Sequence, residues 1–463
     1  MPYQTVNPYD NKLVATFPEL TDAELEDLVA RAARTFATWR ATSMEQRRAV
    51  GKRAAAILRE RADEFARLLT LEMGKLYYES LEEVELSASI IDYYAENAES
   101  FLAPEHLTPA DPSEGSPVVV SEPIGVLLAV EPWNFPYYQL ARVSGPQLVA
   151  GNVVMVKHAP NVPQCAAAFE ALYLEAGAPS GAYTNIYATN DQIGRLIDDP
   201  RIAAIAFTGS TRTGSILASR AAKNLKKSTM ELGSSDPMIV LADADLDKAV
   251  DWAVWGRMNN GGQCCVAVKR IIVVDEISDR FFERLKSAFS ELKAGDPFDP
   301  ETTLPPMCTQ AAADQLEDQI KVAVDGGATA TLVGPPVPET GAFVQPTMLT
   351  DISGDNPVYY EEFFGPVAMC FRVPDEDEAV RLANDSPYGL GGSIFTQDTD
   401  HGFEVAKRLD SGMVFVNHPT WTKPDLPFGG IKQSGWGHEL GRSGIEEFVN
   451  KKLINVVPID APA

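Results

Sequence analysis

Ala203-Ala204-Ile205-Ala206-Phe207-Thr208-Gly209-Ser210-Thr211-Arg212-Thr213-Gly214 runs from an apolar stretch the length of one buried strand into glycine and hydroxyl residues, with a helix expected over 215–225. A strand that feeds a helix in this way aims free backbone N–H groups and the positive end of the helix dipole at an anion, and a pyrophosphate fits there. Only Gly209 and Gly214 remain of the usual three-glycine dinucleotide pattern, so the unit taken alone also fits a purely structural turn. Upstream, Val153-Val154-Met155-Val156-Lys157 ends a second apolar run in a lysine. At the carboxyl edge of a sheet that cation reaches ribose hydroxyls or a 2′-phosphate, although a solvated strand-end lysine is the plainer reading.

Further β-branched runs at 118–120, 126–130, 238–241, 271–274, 367–371 and 414–416 are bounded by proline and glycine and alternate with helical stretches such as 163–176. This alternation predicts an α/β chain with parallel sheets and crossover helices. The first hundred residues are patterned for helix. Thr21 with Glu24 forms a capping box ahead of Leu25, Val29, Ala32, Phe36 and Trp39, and Ser43 with Gln46 opens a second helix expected to run through Ile57, Phe65 and Leu69 to Gly74. Near the other end a helix is expected over 444–449 and a strand over 452–457. No repeat, low-complexity tract or long linker interrupts the chain.

With 463 residues the chain is too long for one core, so two or three domains are expected. Its composition, 45% hydrophobic and 22% charged, is that of a folded globular protein. Lys and Arg total 39 against 65 Asp and Glu, a net charge of −26 that repels nucleic acid and anionic membrane surfaces. The N-terminal residues show neither a basic n-region nor an apolar h-region, and no apolar run is long enough to span a bilayer; the cytoplasm is the expected location. Five cysteines, at 165, 264, 265, 308 and 370, lack zinc-ligand spacing and CxxC pairs, so free thiols and no metal are expected.

Three segments carry candidate chemistry. Asn259-Asn260-Gly261-Gly262-Gln263-Cys264-Cys265 sets a thiol after a glycine-rich turn. Met230-Glu231-Leu232-Gly233 isolates a glutamate among apolar residues, where desolvation suits a carboxylate to general-base work. Pro132-Trp133-Asn134-Phe135-Pro136 holds one amide in a rigid turn, positioned to donate to a developing oxyanion. Each also has a bland reading: a buried cysteine, a surface glutamate, a turn asparagine.

Taken together and in this order, PWNFP at 132–136, FTGSTRTG at 207–214, MELG at 230–233 and GQCC at 262–265 resemble the aldehyde dehydrogenase superfamily. EEFFGPV at 361–367 and PFGGIKQSGWGHELGRSGIEEFVN at 427–450 extend the likeness over essentially the whole chain. GQCCVAVKR at 262–270 and VKHAPNVPQCA at 156–166 look most similar to its succinate-semialdehyde dehydrogenase branch. The resemblance implies a Rossmann-like cofactor domain (1–112 and 124–234), an α/β catalytic domain (235–444) and a small β oligomerisation element (113–123 and 445–463).

The same resemblance implies Cys265 as nucleophile, Glu231 as water-activating base, and Asn134 with the Cys265 backbone N–H as oxyanion hole. It implies that Trp133, Lys157, Gly209, Ser210, Leu232, Glu362 and Phe364 contact NAD or NADP. Position 160, often a ribose-binding glutamate in relatives that prefer NAD, is Pro160, which leaves NADP open. Ser234 replaces the usual second glycine after Glu-Leu-Gly, and Cys264 reads as a packing residue, a redox role being the minority reading. Arg142, about two helical turns after Asn134, is the expected partner of a substrate carboxylate. Thr422 supplies the expected hydroxyl. Asp425, where relatives commonly carry arginine, and Trp421 point towards a different or more aromatic aldehyde.

The expected reaction is therefore NAD(P)-dependent oxidation of an aldehyde, with succinate semialdehyde first in line, through a cysteine thiohemiacetal and thioester. A CoA-acylating semialdehyde dehydrogenase is the nearest rival, which retention of Glu231 disfavours; a non-catalytic binding protein of the same fold is the other. A homodimer or homotetramer is implied, the 452–457 strand joining an interface with the hairpin near Val118.

Overall fold

In the computed structural model, which describes residues 2–460, Ile202–Thr208 lies inside a six-stranded sheet. The order across it is Gly435–Trp436, Lys227–Glu231, Ile202–Thr208, Val126–Val130, Val153–Lys157, Tyr183–Asn185. All neighbours are parallel except Gly435–Trp436, which runs antiparallel to Lys227–Glu231. The five parallel strands follow the doubly wound order 3-2-1-4-5, whose direction reverses between Val126–Val130 and Ile202–Thr208. The near-continuous apolar sequences of Val126–Val130, Val153–Lys157 and Ile202–Thr208 suit these central strands to burial on both faces. Pro136–Ala150 packs there with every residue buried, and it ends at Gly151 in the left-handed conformation (φ 104).

Both capping boxes form as expected, opening the helices Asp22–Trp39 and Met44–Glu60. The second helix does not continue to Gly74. Arg61 leaves helical geometry (φ −118, ψ 29), and a separate helix, Ala62–Met73, ends on Gly74. Arg61 is tied to Glu64 and, across the fold, to Glu175, a tertiary restraint with no glycine or proline to announce it.

A second sheet of seven strands, ordered Thr329–Leu332, Thr347–Thr350, Val367–Val373, Arg270–Val274, Pro237–Val240, Ser393–Phe395, Phe415–Val416, is parallel except at Thr329–Leu332. It forms its own hydrophobic core, separate from that of the six-stranded sheet. A third sheet pairs Val449–Val456 with Ser116–Pro123 along their whole length. The helix before it is Gly441–Glu446, three residues earlier than the expected 444–449, and the strand begins earlier too. Residue 1 and residues 461–463, the outer ends of the expected 1–112 and 445–463 segments, lie outside the described residues. No helix among the described residues is long and apolar enough to cross a membrane.

Candidate active site

The reversal point of the six-stranded sheet opens onto a cavity of about 330 Å³, lined by Trp133, Gly209, Ser210, Leu232, Glu362 and Phe364 among others. Its floor is the start of the helix Thr211–Lys223, which begins four residues before the expected position because Ser210 caps it, accepting from the Thr213 N–H at 3.3 Å. A Cβ on Gly209 would meet the Phe207 ring at 2.6 Å, so only glycine leaves the chain close to that helix end. The rings of Trp133 and Phe364 meet edge to face at 5.7 Å. Glu362 is held by the fully buried Lys269 at 2.8 Å. A helix N-terminus, an aromatic pair and an anchored carboxylate fit a dinucleotide lying across the switch point. Lys157 and Pro160 belong to the adjacent strand and its following turn but do not line this cavity. Burial draws the Lys157 pKa down to about 8, and its ammonium donates to the His158 carbonyl at 3.3 Å.

The thiol-bearing loop is built to be rigid. Asn260, Gly261 and Gly262 all take positive φ (55, 61 and 77). A side chain at Gly262 would run into the Gly365 carbonyl. Gln263 stitches the loop in both directions: its Nε2 donates to the Asn260 carbonyl at 3.1 Å, and its Oε1 accepts from the Cys308 N–H at 2.8 Å. The half-buried Cys264 and Cys265 follow. Cys264 and burial together hold the Cys265 thiol well above the usual cysteine range, against the pull of Lys269 and Arg142, while its neighbour Cys264 is shifted the other way, so ionising one hinders ionising the second. Lys269 also donates to the Cys265 carbonyl. The Asn134 amide is fixed from two sides, donating to the Gln263 carbonyl at 3.1 Å and accepting from Gln139 at 2.8 Å.

A second cavity, of about 480 Å³, lies beyond the cysteine. One wall is aromatic, with Trp252, Trp255, His418 and Trp421; the His418 and Trp421 rings stack at 4.7 Å. The opposite wall carries Lys75, Glu79 and Glu83. Lys75 is ion-paired with Glu83 and lies 3.7 Å from the Phe135 ring centroid. Burial pushes the Glu79 carboxyl up to about 7 against the pull of the Asn260 N–H and Lys75. Arg142 and Thr422 line this cavity as expected, but Arg142 is not a free cation. It is ion-paired with Glu439, donates to Thr208 Oγ1 at 2.8 Å and donates to Tyr138 Oη at 3.1 Å.

Cys265, Asn134 and Gln139 line both cavities, and so stand where the two meet. Glu231 ends the strand Lys227–Glu231 but lines neither cavity. Its carboxyl is buried within the field of Glu439 and Arg142, and burial first, then Glu439, raises its pKa well above the usual carboxylate range. The Ser234 hydroxyl turns away from the dinucleotide cavity to donate to Asp236.

Several site residues escaped the sequence reading: Glu439, Glu131, Lys269, Glu79 and the Trp252–His418 wall. Glu131, Glu79 and the Trp252–His418 wall carry no motif of their own, while Lys269 and Glu439 lie inside the runs 262–270 and 427–450 with nothing to mark their partners. The only available signal was isolation of a charged residue among apolar ones, as in Ala129-Val130-Glu131-Pro132.

The sequence pattern of the aldehyde dehydrogenase family matches residues 1–454. The chain is 48% identical over 457 residues to a succinate-semialdehyde dehydrogenase [NADP(+)] of Deinococcus radiodurans, covering 99% of this chain and 95% of that protein. It is 42% identical over 454 residues to a probable succinate-semialdehyde dehydrogenase [NADP(+)] of Synechocystis, covering 98% and 99%. The crystal structure of a succinic semialdehyde dehydrogenase from Streptococcus pyogenes in complex with NADP+ matches with a TM-score of 0.96 at 44% identity, covering 98% of this chain and 100% of that one.

Proposed function

The chain belongs to the aldehyde dehydrogenase family, and on that premise we propose that it oxidises succinate semialdehyde to succinate with NADP as hydride acceptor. The observation that carries this reading is the position of Cys265 and Asn134 on the walls of both cavities, between a dinucleotide-shaped cleft and an aldehyde-sized one. The choice of substrate and of NADP rests on the succinate-semialdehyde dehydrogenases, NADP-dependent by name, at 48% and 42% identity. Pro160, which offers no carboxylate to repel a 2′-phosphate, supports the choice of NADP.

In this reading the Cys265 thiolate adds to the aldehyde carbon. The developing alkoxide is held by the Cys265 backbone N–H and the Asn134 amide, the latter already fixed before the reaction begins. A nicotinamide dinucleotide, when bound, supplies acceptance of the hydride that leaves the tetrahedral carbon. Trp133, Gly209, Ser210, Leu232, Glu362 and Phe364 hold it, with Lys157 near the adenosine end. Glu231 then takes a proton from water, the hydroxide adds to the thioester, the C–S bond breaks, and the carboxylate departs as the thiolate is regenerated. For this step Glu231 must swing from its buried position towards the cavity junction. Arg142 and Thr422 receive the substrate carboxylate.

Residues 1–112 and 124–234 act as the dinucleotide-binding domain and 235–444 as the catalytic domain. The sheet of 113–123 with 445–463 is the assembly element of a homodimer or homotetramer in the cytoplasm. Support for the assembly is the exposed apolar pair Ile454 (43%) and Val456 (69%), two residues apart on one face of the strand Val449–Val456. Turnover of purified protein with NAD and NADP, each crossed with succinate semialdehyde, hexanal and benzaldehyde, tests the whole reading. The expected result is a preference for the carboxylated aldehyde with NADP. No preference for it, or reduced cofactor forming only when CoA is added, overturns the substrate or the hydrolytic step respectively.

A further inference from the structure

Glu131 is a buried carboxyl to which the reaction above gives no task. It is 3% exposed, and neither of its oxygens makes a hydrogen bond of good geometry among the described residues; the same holds for Glu231. Its backbone is fixed by donation to the Lys157 carbonyl at 3.1 Å. Val130 pairs with Phe207, and Thr208 pairs with Glu231, in parallel register. Glu131, Thr208 and Glu231 therefore stand at one level across three adjacent strands, at the carboxyl edge of the sheet. The Thr208 hydroxyl lies against Glu131 and accepts from Arg142. Arg142 in turn pairs with Glu439. Glu439 thus touches the guanidinium, and Glu131 and Glu231, both buried, lie within its field.

If all three were ionised the cluster would carry a net −2 in a dry interior, which burial does not tolerate. Glu439, in direct contact with the guanidinium, is best placed to hold a charge, and Glu131 and Glu231 contend for the remainder of the field. The other groups facing Glu131 do not relieve it. Tyr138 shares the helix of Arg142, Tyr183 faces it from the edge strand, and His158 is kept neutral by burial, its pKa lowered to about 4. Lys157 beside His158 is itself weakened by burial.

We propose that Glu131 is a positioning residue for water activation: it competes with Glu231 for the guanidinium of Arg142, so that ionising either carboxyl keeps the proton on the other. The inference rests on Glu231 being the base in thioester hydrolysis. Burial acting on both carboxyls in the same direction supports it. Two groups coupled this way titrate as a pair, in two steps.

The test follows thioester hydrolysis by rapid quench across pH, with the hydride-transfer burst recorded in parallel. Glu131→Gln removes one contender. The acid limb of hydrolysis then moves to lower pH by roughly one unit or more and collapses to a single step, while the profile of the burst stays in place. Glu131→Asp, which keeps the competing charge, returns the limb towards the parent position. An unmoved limb in Glu131→Gln overturns the proposal. If that variant does not fold, pH-difference infrared spectra of the unaltered enzyme and of Glu231→Gln decide: loss of one buried-carboxyl step together with a shift of a second to lower pH is the expected result, and loss of one step with every other unmoved is fatal to it. Failure of the base assignment looks different, since Glu231→Gln would then hydrolyse the thioester at the parent rate.

Discussion

Arg142 and Glu439 form a buried ion pair that joins the helix after Asn134 to the loop after Gly435–Trp436, almost three hundred residues later in the chain. The pair places a cation on the wall of the aldehyde cavity while cancelling most of its charge. On the proposed role of Arg142, a substrate carboxylate would meet a guanidinium already shared with Glu439. Both partners are 8% exposed or less, so their attraction is little screened by salt.

Replacing the arginine separates recognition from chemistry. Arg142→Met removes one charge-assisted contact and is expected to raise KM for succinate semialdehyde about ten-fold or more, with KM for hexanal much less affected, while kcat falls on both aldehydes because Glu231 and Glu439 lose their counter-ion. Steady-state assays at saturating dinucleotide check this. Equal changes in KM on both aldehydes would mean that Arg142 takes no part in holding the carboxylate.

Cys265→Ala is expected to lose dinucleotide reduction by on the order of 10⁴-fold or more, because no other group at the cavity junction can form the thioester. Cys264→Ser keeps a hydrogen-bonding group beside the nucleophile and should retain turnover within about ten-fold. Mass spectrometry of enzyme quenched during turnover places the acyl group on position 265 in the parent and in Cys264→Ser. An acyl group on 264 would exchange their roles.

The strands were readable because sheet burial on both faces demands unbroken apolar runs, as in Val126–Val130 and Ile202–Thr208. The helix starts at Asp22 and Met44 were readable because capping boxes are local. The break at Arg61 was not: no glycine or proline marks it in the sequence. Cys265, Asn134 and Trp133 were legible through compact motifs, and the structure gathers them at the cavities. What sequence could not supply was the electrostatic setting of Arg142, fixed by Glu439 and Thr208, or the pairing of Lys269 with Glu362. Those contacts exist only once distant segments pack.

Glu231→Gln is expected to leave one burst of reduced dinucleotide and to slow turnover by roughly 10²–10⁴-fold. Burial and Glu439 favour the protonated form of Glu231, which cannot act as a base. Hydrolysis should therefore fail as pH falls, with an acid limb above the ordinary carboxylate range of about 4. Stopped-flow absorbance shows both effects. A full-rate steady state in the variant would remove Glu231 from the mechanism.

Glu79 links pH to both stability and substrate affinity. Its carboxyl accepts from the Asn260 N–H at 2.9 Å and from Asn259 Nδ2 at 3.0 Å, both on one oxygen, leaving the other buried without a partner. With the pKa raised from 4.5 to about 7, the folded protein holds a proton there that the unfolded chain gives up near 4.5. This proton-linked stability is complete below pH 4.5 and is lost as pH rises through 7. Glu79→Gln keeps the accepting oxygen and cannot ionise, so it should stabilise the protein at pH 8 relative to the parent by about 2–3 kcal/mol, with little gain at pH 5. Urea denaturation at the two pH values measures the difference. Ionised Glu79 also adds a negative charge to the aldehyde cavity, so KM for succinate semialdehyde should climb between pH 6 and 8 in the parent and stay flatter in Glu79→Gln. A stability gain equal at both pH values would show that Glu79 is already ionised at pH 5 and carries none of this linkage.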